Sequence, residues 1–265
     1  MKRITLGALD YGLAFGVDRA LRALAEKGRL SALGAMVATE LWPREFRPLQ
    51  ETAEKVGSRT LFGITLCFSG DRVHPVSTKM QEKLGDRMYS REKLMWRAAF
   101  RLLPEELLLE EAKAQLARYS VLMKRQPDFV AVRDGLLASP GITRIILKAI
   151  DHADFARPPY VISPAQSGIR ASKLARMAKP YGITILPRAD PLPETSDPEE
   201  LHRLLHNHFD GLTDMSFVTG IPGRADDRLR RDEPHDKVAI RECQYEVLAS
   251  DQFFRTLDKK NVFLN

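Results

Sequence analysis

Three histidines crowd the segment "LHRLLHNHF": His202, His206 and His208. Two imidazoles four residues apart share one face of a helix, the spacing that zinc-binding helices use. No glutamate follows His202, which a zinc-hydrolase helix needs as its base, and the segment leads into a strand from the outside of a strand-helix repeat. It therefore reads as a solvated helix face. Ser69, Asp71 and His74 bring a hydroxyl, a carboxylate and an imidazole into one short stretch, but no nucleophile-elbow pattern presents the serine. Asp226 and Asp227 follow "GIPG" on a loop, where turn capping is the favoured reading and a ligand contact the alternative. Cys67 and Cys243 form no C-x-x-C pair and read as two reduced thiols packed like small hydrophobes.

The elements that would position such groups follow a clear rhythm. "RITLGAL" is a β-prone run, followed by the amphipathic helix "FGVDRALRALAEKG" with Gly28 as its stop. "SALGAMVAT" reads as a buried strand, "FRPLQETAEKVG" as a helix and "RTLFGITLCF" as a third strand. Residues 71–103 break the pattern and end in the basic amphipathic segment "SREKLMWRAAFRLL". Pro104 then opens a long helix with Glu105 and Glu106 at its start and Lys124 and Arg125 at its end, in accord with the helix dipole. "PDFVAV", "YVIS", "ITILPR" and "MSFVTG" are strands separated by helical segments. A last helix, "VAIRECQYEVLAS", leads to the closing strand "VFL". Strand-helix alternation of this kind predicts parallel α/β architecture, here a single domain over residues 1–265 built as an irregular (β/α) barrel with an insertion near 71–103.

Composition narrows the class. The 265 residues are 44% hydrophobic, enough for one large core, and no run of about eighteen apolar residues offers a membrane span. The start "MKRITLGALDYG" enters a strand rather than a cleavage site, which predicts a cytoplasmic protein. A net charge of +6 without a block of Lys and Arg does not make a nucleic-acid binder. Arg91, Lys93, Arg97 and Arg101, interleaved with Leu94, Met95, Trp96, Phe100 and Leu102, form a basic amphipathic pattern. It leaves open a peripheral contact at the inner membrane through residues 90–103, against a lid or a dimer contact.

Four stretches carry a resemblance: "GALDYG" (Gly7 to Gly12), "GITLCFSG" (Gly63 to Gly70), "PDFVAVRDGLLASPGI" (Pro127 to Ile142) and "VTGIPGRADDRL" (Val218 to Leu229). They resemble "NADDFG", "GLHLTLT", "P-DFVDSHQHVHLLPGV" and "CHPG(F/Y)-DD-L" of the YdjC family, which contains chitooligosaccharide and hopanoid-associated (HpnK-type) deacetylases. The resemblance implies the family's irregular (β/α) barrel, with the four stretches converging where the strands end. It also implies a divalent metal that activates a water against an N-acetyl carbonyl.

Residue by residue, the ligands of that resemblance are missing. Leu9 stands in the first acidic slot and Asp10 in the second. Thr65 stands in the histidine slot of "GLH", Ala131 in the acidic slot of the third motif, and Arg133, Gly135 and Leu137 in its three histidine slots. Ile221 replaces the histidine of "HPG", while Pro222, Gly223, Asp226 and Asp227 still match. A catalytic divalent metal commonly takes three protein ligands, and one carboxylate remains. The expectation is a degenerate family member with no cofactor, whose divalent metal is lost. Arg133 would sit where the cation was, paired with Asp10, or else point to solvent while Asp10 caps its turn. The cleft left behind would be lined by Asp10, Tyr11, Thr65, Arg133, Asp134, Asp226 and Arg157, the last matching the family's "R-P" element. Its expected work is binding a glycan, a glycolipid headgroup or a partner such as an active paralogue, and the resemblance also implies a homodimer. Two alternatives stay open: a metal-free enzyme on a sugar derivative using Asp10 as base and Arg133 as stabiliser, or residual metal-dependent deacetylation.

Overall fold

The computed structural model describes residues 1–164 and 168–265. Along the chain run β1 (Lys2–Tyr11), α1 (Phe15–Glu26), β2 (Ala32–Ala35), α2 (Trp42–Val56), β3 (Leu61–Leu66), α3 (Thr78–Leu84), α4 (Arg91–Ala99), α5 (Glu105–Met123), β4 (Phe129–Val132), α6 (Pro140–His152) and β5 (Tyr160–Ile162). They continue as α7 (Ile169–Ala178), β6 (Ile185–Leu186), α8 (Pro198–Gly211), β7 (Ser216–Gly220), α9 (Asp227–Asp232), α10 (His235–Ala249), α11 (Asp251–Lys259) and β8 (Val262–Leu264). Every strand pairing between these elements in the two units below is parallel. The chain divides into two compact units, Met1–Ala35 with Arg47–Phe62 and Arg188–Asn265, and Met36–Phe46 with Gly63–Pro187.

In the first unit β1 is the hub, pairing with β2, β7 and β8. Its alternation of Ile4, Leu6 and Ala8 is fully buried, as a strand covered on both faces requires. The pairing with β2 runs Gly7 to Ala32 and Ala8 to Leu33, then jumps to Tyr11 opposite Ala35. Leu9 and Asp10 thus share the space of one residue on β2, a bulge that re-aims the side chains it contains. Helix α1 buries Val17, Leu21, Leu24 and Ala25 at helical spacing. It stops where Gly28, at φ +67°, lets Arg29 N donate back to Leu24 O. Asp18 in its first turn accepts from Gly12 N at 2.6 Å and fastens the turn that follows β1.

In the second unit β3 pairs with β4, β4 with β5 and β5 with β6. Helix α5 buries Leu108, Ala112, Leu116, Tyr119 and Met123 along one stripe, and Tyr119 stacks on the fully buried Trp42 with ring centroids 6.3 Å apart. Two polar residues of the same helix are buried as well. Gln115 holds the end of β3 by accepting from Cys67 N and donating to Cys67 O, and Glu111 accepts from Val76 N and Ser77 N.

The elements differ from the sequence reading in four places. The expected strand "SALGAMVAT" shrinks to Ala32–Ala35, and α2 starts at Trp42, ahead of the expected start at Phe46. The insertion at 71–103 holds two short helices, α3 and α4, capped by Ser77 and Ser90. The expected last helix, Val238 to Ser250, is found as α10, but a further helix that the sequence reading left unassigned, α11, follows it, capped by Ser250 through Phe253 N.

Gly63 marks the tightest strand contact in the second unit. A Cβ there would lie 2.6 Å from the Phe129 ring and closer still to Phe129 O. Gly63→Ala is expected to destabilise the protein by about 1–3 kcal/mol, read as a lowered urea midpoint at unchanged m-value.

Candidate functional site

At the end of β1, the Asp10 carboxylate emerges from the bulge and meets a guanidinium the sequence reading did not assign. Arg241 Nη1 on α10 donates to Asp10 Oδ2 at 2.6 Å and to Ile221 O at 3.1 Å. The rest of the same group forks onto Glu233, with Nε to Oε2 at 2.7 Å and Nη2 to Oε1 at 3.1 Å. The Arg241 side chain is 3% exposed. Burial by itself would lower its pKa, but the charges of Asp10 and Glu233 outweigh that and hold it above the ordinary guanidinium range. A planar five-donor cation that never deprotonates suits two carboxylates and a carbonyl at once. The second oxygen of Asp10, Oδ1, is buried without a hydrogen-bond partner among the described residues.

Helix α10 also fixes the loop after β7. Ile221 N donates to Gln244 Oε1 at 2.7 Å, Gln244 Nε2 donates to Pro193 O, and Gly223 N donates to Arg241 O. The loop then closes onto α1: Asp226 accepts from Leu229 N through Oδ1 and from Gly16 N through Oδ2, both at 2.7 Å. Both oxygens of Asp226 are therefore structural, which corrects its place among the ligand contacts in favour of the capping reading. Tyr11 is corrected likewise. It is fully buried, and its hydroxyl accepts from Arg22 Nη1 at 2.6 Å. Arg188, which follows β6, enters the first unit beside β7 and donates to Thr219 Oγ1 at 3.1 Å. It is half-buried, has no carboxylate partner among the described residues, and burial pushes its pKa down.

In the second unit Thr65 and Ala131 face each other in register across β3 and β4, so two slots that the resemblance assigns to metal ligands lie side by side without one. Thr65 Oγ1 is buried and has no hydrogen-bond partner among the described residues. Beyond β4 the backbone turns through Asp134 (φ 59°) and Gly135 (φ 66°). Asp134 Oδ2 accepts from Ser69 Oγ at 2.6 Å, and its carbonyl accepts from Arg91 Nε. Arg133 donates to Met36 Sδ at 3.4 Å and lies 3.6 Å from Asp134. The expected pairing of Arg133 with Asp10 is thus replaced: Asp10 is held by Arg241, and Arg133 has its own neighbours.

Arg157 is a further correction. It lies on the turn that enters β5, where its carbonyl accepts from Gln126 Nε2 just ahead of β4. That is the starting end of these parallel strands, opposite the end from which Arg133 emerges. Ser69 and His74 do not combine either. Ser69 is spent on Asp134, while the His74 ring contacts Asp86 O at 2.8 Å and Glu40 at 3.2 Å. Cys67 donates to Thr65 O, and burial pushes its thiol from 9.0 up to about 12, with Arg133 opposing. Such a thiol is no nucleophile at neutral pH.

His202 and His206 face a cleft of about 830 Å³ between α8 and α11, together with Arg203, Arg255 and Lys259. Burial lowers the pKa of His202, against the pull of Glu246. Cations dominate this cleft, and among the described residues no group of three or more His, Cys, Asp or Glu could hold a metal ion. The donor set expected of the family's metal does not fit here. Asp10 is its surviving carboxylate, and that carboxylate is bonded to a guanidinium.

Parallel strands alternating with helices, with polar groups at the ends of β1 and β7 in the first unit and of β4 in the second, define an α/β protein of the (β/α) class. The description "YdjC-like protein" matches residues 3–259, and the chain belongs to that family. No curated protein matches the chain. Among solved structures it is similar to a proposed cellobiose-phosphate cleavage protein from Enterococcus faecalis V583, with a TM-score of 0.75, 13% identity, and coverage of 100% of this chain and 97% of that one. That likeness establishes the fold as the irregular (β/α) barrel type. A family 4 carbohydrate esterase from Streptomyces lividans in complex with acetate follows at a TM-score of 0.44 and 8% identity, covering 100% of this chain and 92% of that one.

Arg241→Met removes the guanidinium shared by the Asp10 and Glu233 carboxylates and leaves the buried Asp10 charge without it. It is expected to cost about 3–5 kcal/mol of stability. Arg241→Lys should recover part of that, because one ammonium cannot reproduce the fork on Glu233 and the bond to Asp10 together. Urea unfolding of the two variants side by side measures the difference.

Proposed function

We propose that this protein is a non-hydrolytic member of the YdjC-like family that binds a saccharide, as a free glycan or a glycolipid headgroup, without a metal. The observation that carries the reading is the Asp10–Arg241–Glu233 cluster. The carboxylate that would bind a cation is already neutralised by an internal one, and the other positions of the resembled ligand set are Leu9, Thr65, Ala131, Arg133, Gly135, Leu137 and Ile221. A guanidinium donates hydrogen bonds in fixed directions but has no open coordination position and does not acidify a bound water. Such a site suits hydroxyl and carbonyl recognition rather than hydrolysis. The structural neighbour's description, cellobiose-phosphate cleavage, names a disaccharide phosphate, which supports a ligand of sugar size. Arg188, half-buried without a carboxylate partner beside Thr219, would receive an anionic substituent on it.

The reading in which Asp10 acts as general base with Arg133 as stabiliser is less well supported. Asp10 is bonded to Arg241, and Arg133 to Met36. Partnership with an active paralogue would use the same inert site and is tested by co-purification of the two chains.

Calorimetric titration of the purified chain with N-acetylated and free amino-sugar oligosaccharides, with and without chelator, tests the proposal. Binding is expected to be indifferent to chelator, with no acetate released. Asp10→Asn should weaken it about tenfold or more through loss of a charge-assisted hydrogen bond. Stoichiometric divalent metal in the purified protein, with acetate release that the chelator abolishes, would overturn the reading.

A further inference from the structure

We propose that α4 and the turn after it form a docking face for an anionic lipid surface. Helix α4 is pinned on one side by Leu94, which is fully buried, and opens at Ser90, whose hydroxyl accepts from Lys93 N. Its other side and its end carry Trp96, Phe100 and Leu102, exposed by 56%, 62% and 56%. The Trp96 and Phe100 rings lie 4.9 Å apart, so they form one patch rather than scattered surface apolar residues.

The backbone fixes that patch in place. Leu102 N donates to Arg97 O, and Arg101 takes the left-handed conformation (φ 58°) at the position where a helix stop usually has glycine. The chain thus places a cation, at some conformational cost, between the two exposed apolar residues Phe100 and Leu102. Arg91, Lys93, Arg97 and Arg101 lie on the same helix and turn as the patch, and Glu92 is the lone acid from Tyr89 to Leu103. Lys93 and Arg97 lie over the Tyr89 ring, each at 5.5 Å, and Arg91 gives its Nε to a carbonyl. None of the four makes an ion pair with a carboxylate among the described residues.

Charge decides the occupant. A symmetric contact with a second copy would set the same four cations against their own images. Aromatic rings flanked by unpaired cations match the headgroup layer of an anionic bilayer instead, where rings sit at the interface and cations meet phosphates.

The test uses the full chain with vesicles of phosphatidylcholine containing about 30% phosphatidylglycerol, and with phosphatidylcholine alone. Trp42 is fully buried in the core, so a change in tryptophan emission reports Trp96. Co-sedimentation and a blue-shifted emission are expected with the anionic vesicles at low salt, both lost at high salt. The pairs Trp96→Ser with Phe100→Ser, and Lys93→Gln with Arg101→Gln, should each reduce the bound fraction at least tenfold. Their melting temperatures should stay near that of the parent because these side chains are exposed. Three results would overturn the proposal: no sedimentation with anionic vesicles at low salt, undiminished binding by both variant pairs, or a dimer by light scattering that Trp96→Ser with Phe100→Ser disperses.

Discussion

One buried guanidinium organises the strand ends of the first unit. Arg241 reaches the end of β1 through Asp10, the loop after β7 through Ile221 O, and the segment leading into α10 through Glu233. Three pieces of chain distant in sequence are thereby fixed to one planar group. Desolvating these charges is costly, and the cluster persists only because each bond is short and directional. Its geometry depends in turn on the bulge at Leu9 and Asp10. Without that register jump Asp10 would follow the strict alternation of β1 and face the other way.

The cluster is also the basis of the proposed metal-free reading. A divalent metal would offer open coordination positions and a shift in the acidity of bound water, whereas a guanidinium offers hydrogen-bond donors already aimed. Around it the retained scaffold is still tightly fastened. Gln244 and Asp226 secure the loop from Ile221 to Leu229, and Ser69 with Arg91 secures the left-handed turn at Asp134. A turn at positive φ in a non-glycine residue is held only where surroundings over-determine it.

Much of this was legible in the sequence, and the rest failed for identifiable reasons. Periodicity and capping residues gave the order of strands and helices, because each hydrophobic stripe has one partner to cover. Helix α11 was missed because it begins directly at Ser250, where the preceding helix ends, with no glycine or proline to mark a new element. The substituted positions of the resembled motifs could be aligned because fixed words such as "PDFV" and "PG" flank them. Arg241 was not legible, although a trace existed: Val238, Arg241, Gln244 and Val247 recur at helical spacing, and all four are buried. Polar members in an otherwise apolar stripe mark a buried network. Arg157 was misplaced because a matched dipeptide says nothing about which end of a strand it occupies.

Two atoms bear on whether the strand ends are a relic or a working surface. Asp10 Oδ1 and Thr65 Oγ1, each in its own unit, are buried polar atoms without a partner among the described residues. An unsatisfied buried polar group costs about 1–3 kcal/mol, whereas replacing both members of a buried polar pair by apolar groups of similar shape is close to neutral. A scaffold retained only for its fold would gain by turning such positions apolar, as Leu9, Ala131, Leu137 and Ile221 already are. Asp10 in the first unit and Thr65 in the second each keep one polar atom of this kind beside aliphatic neighbours in the resembled motifs, and each carries that cost in the free protein.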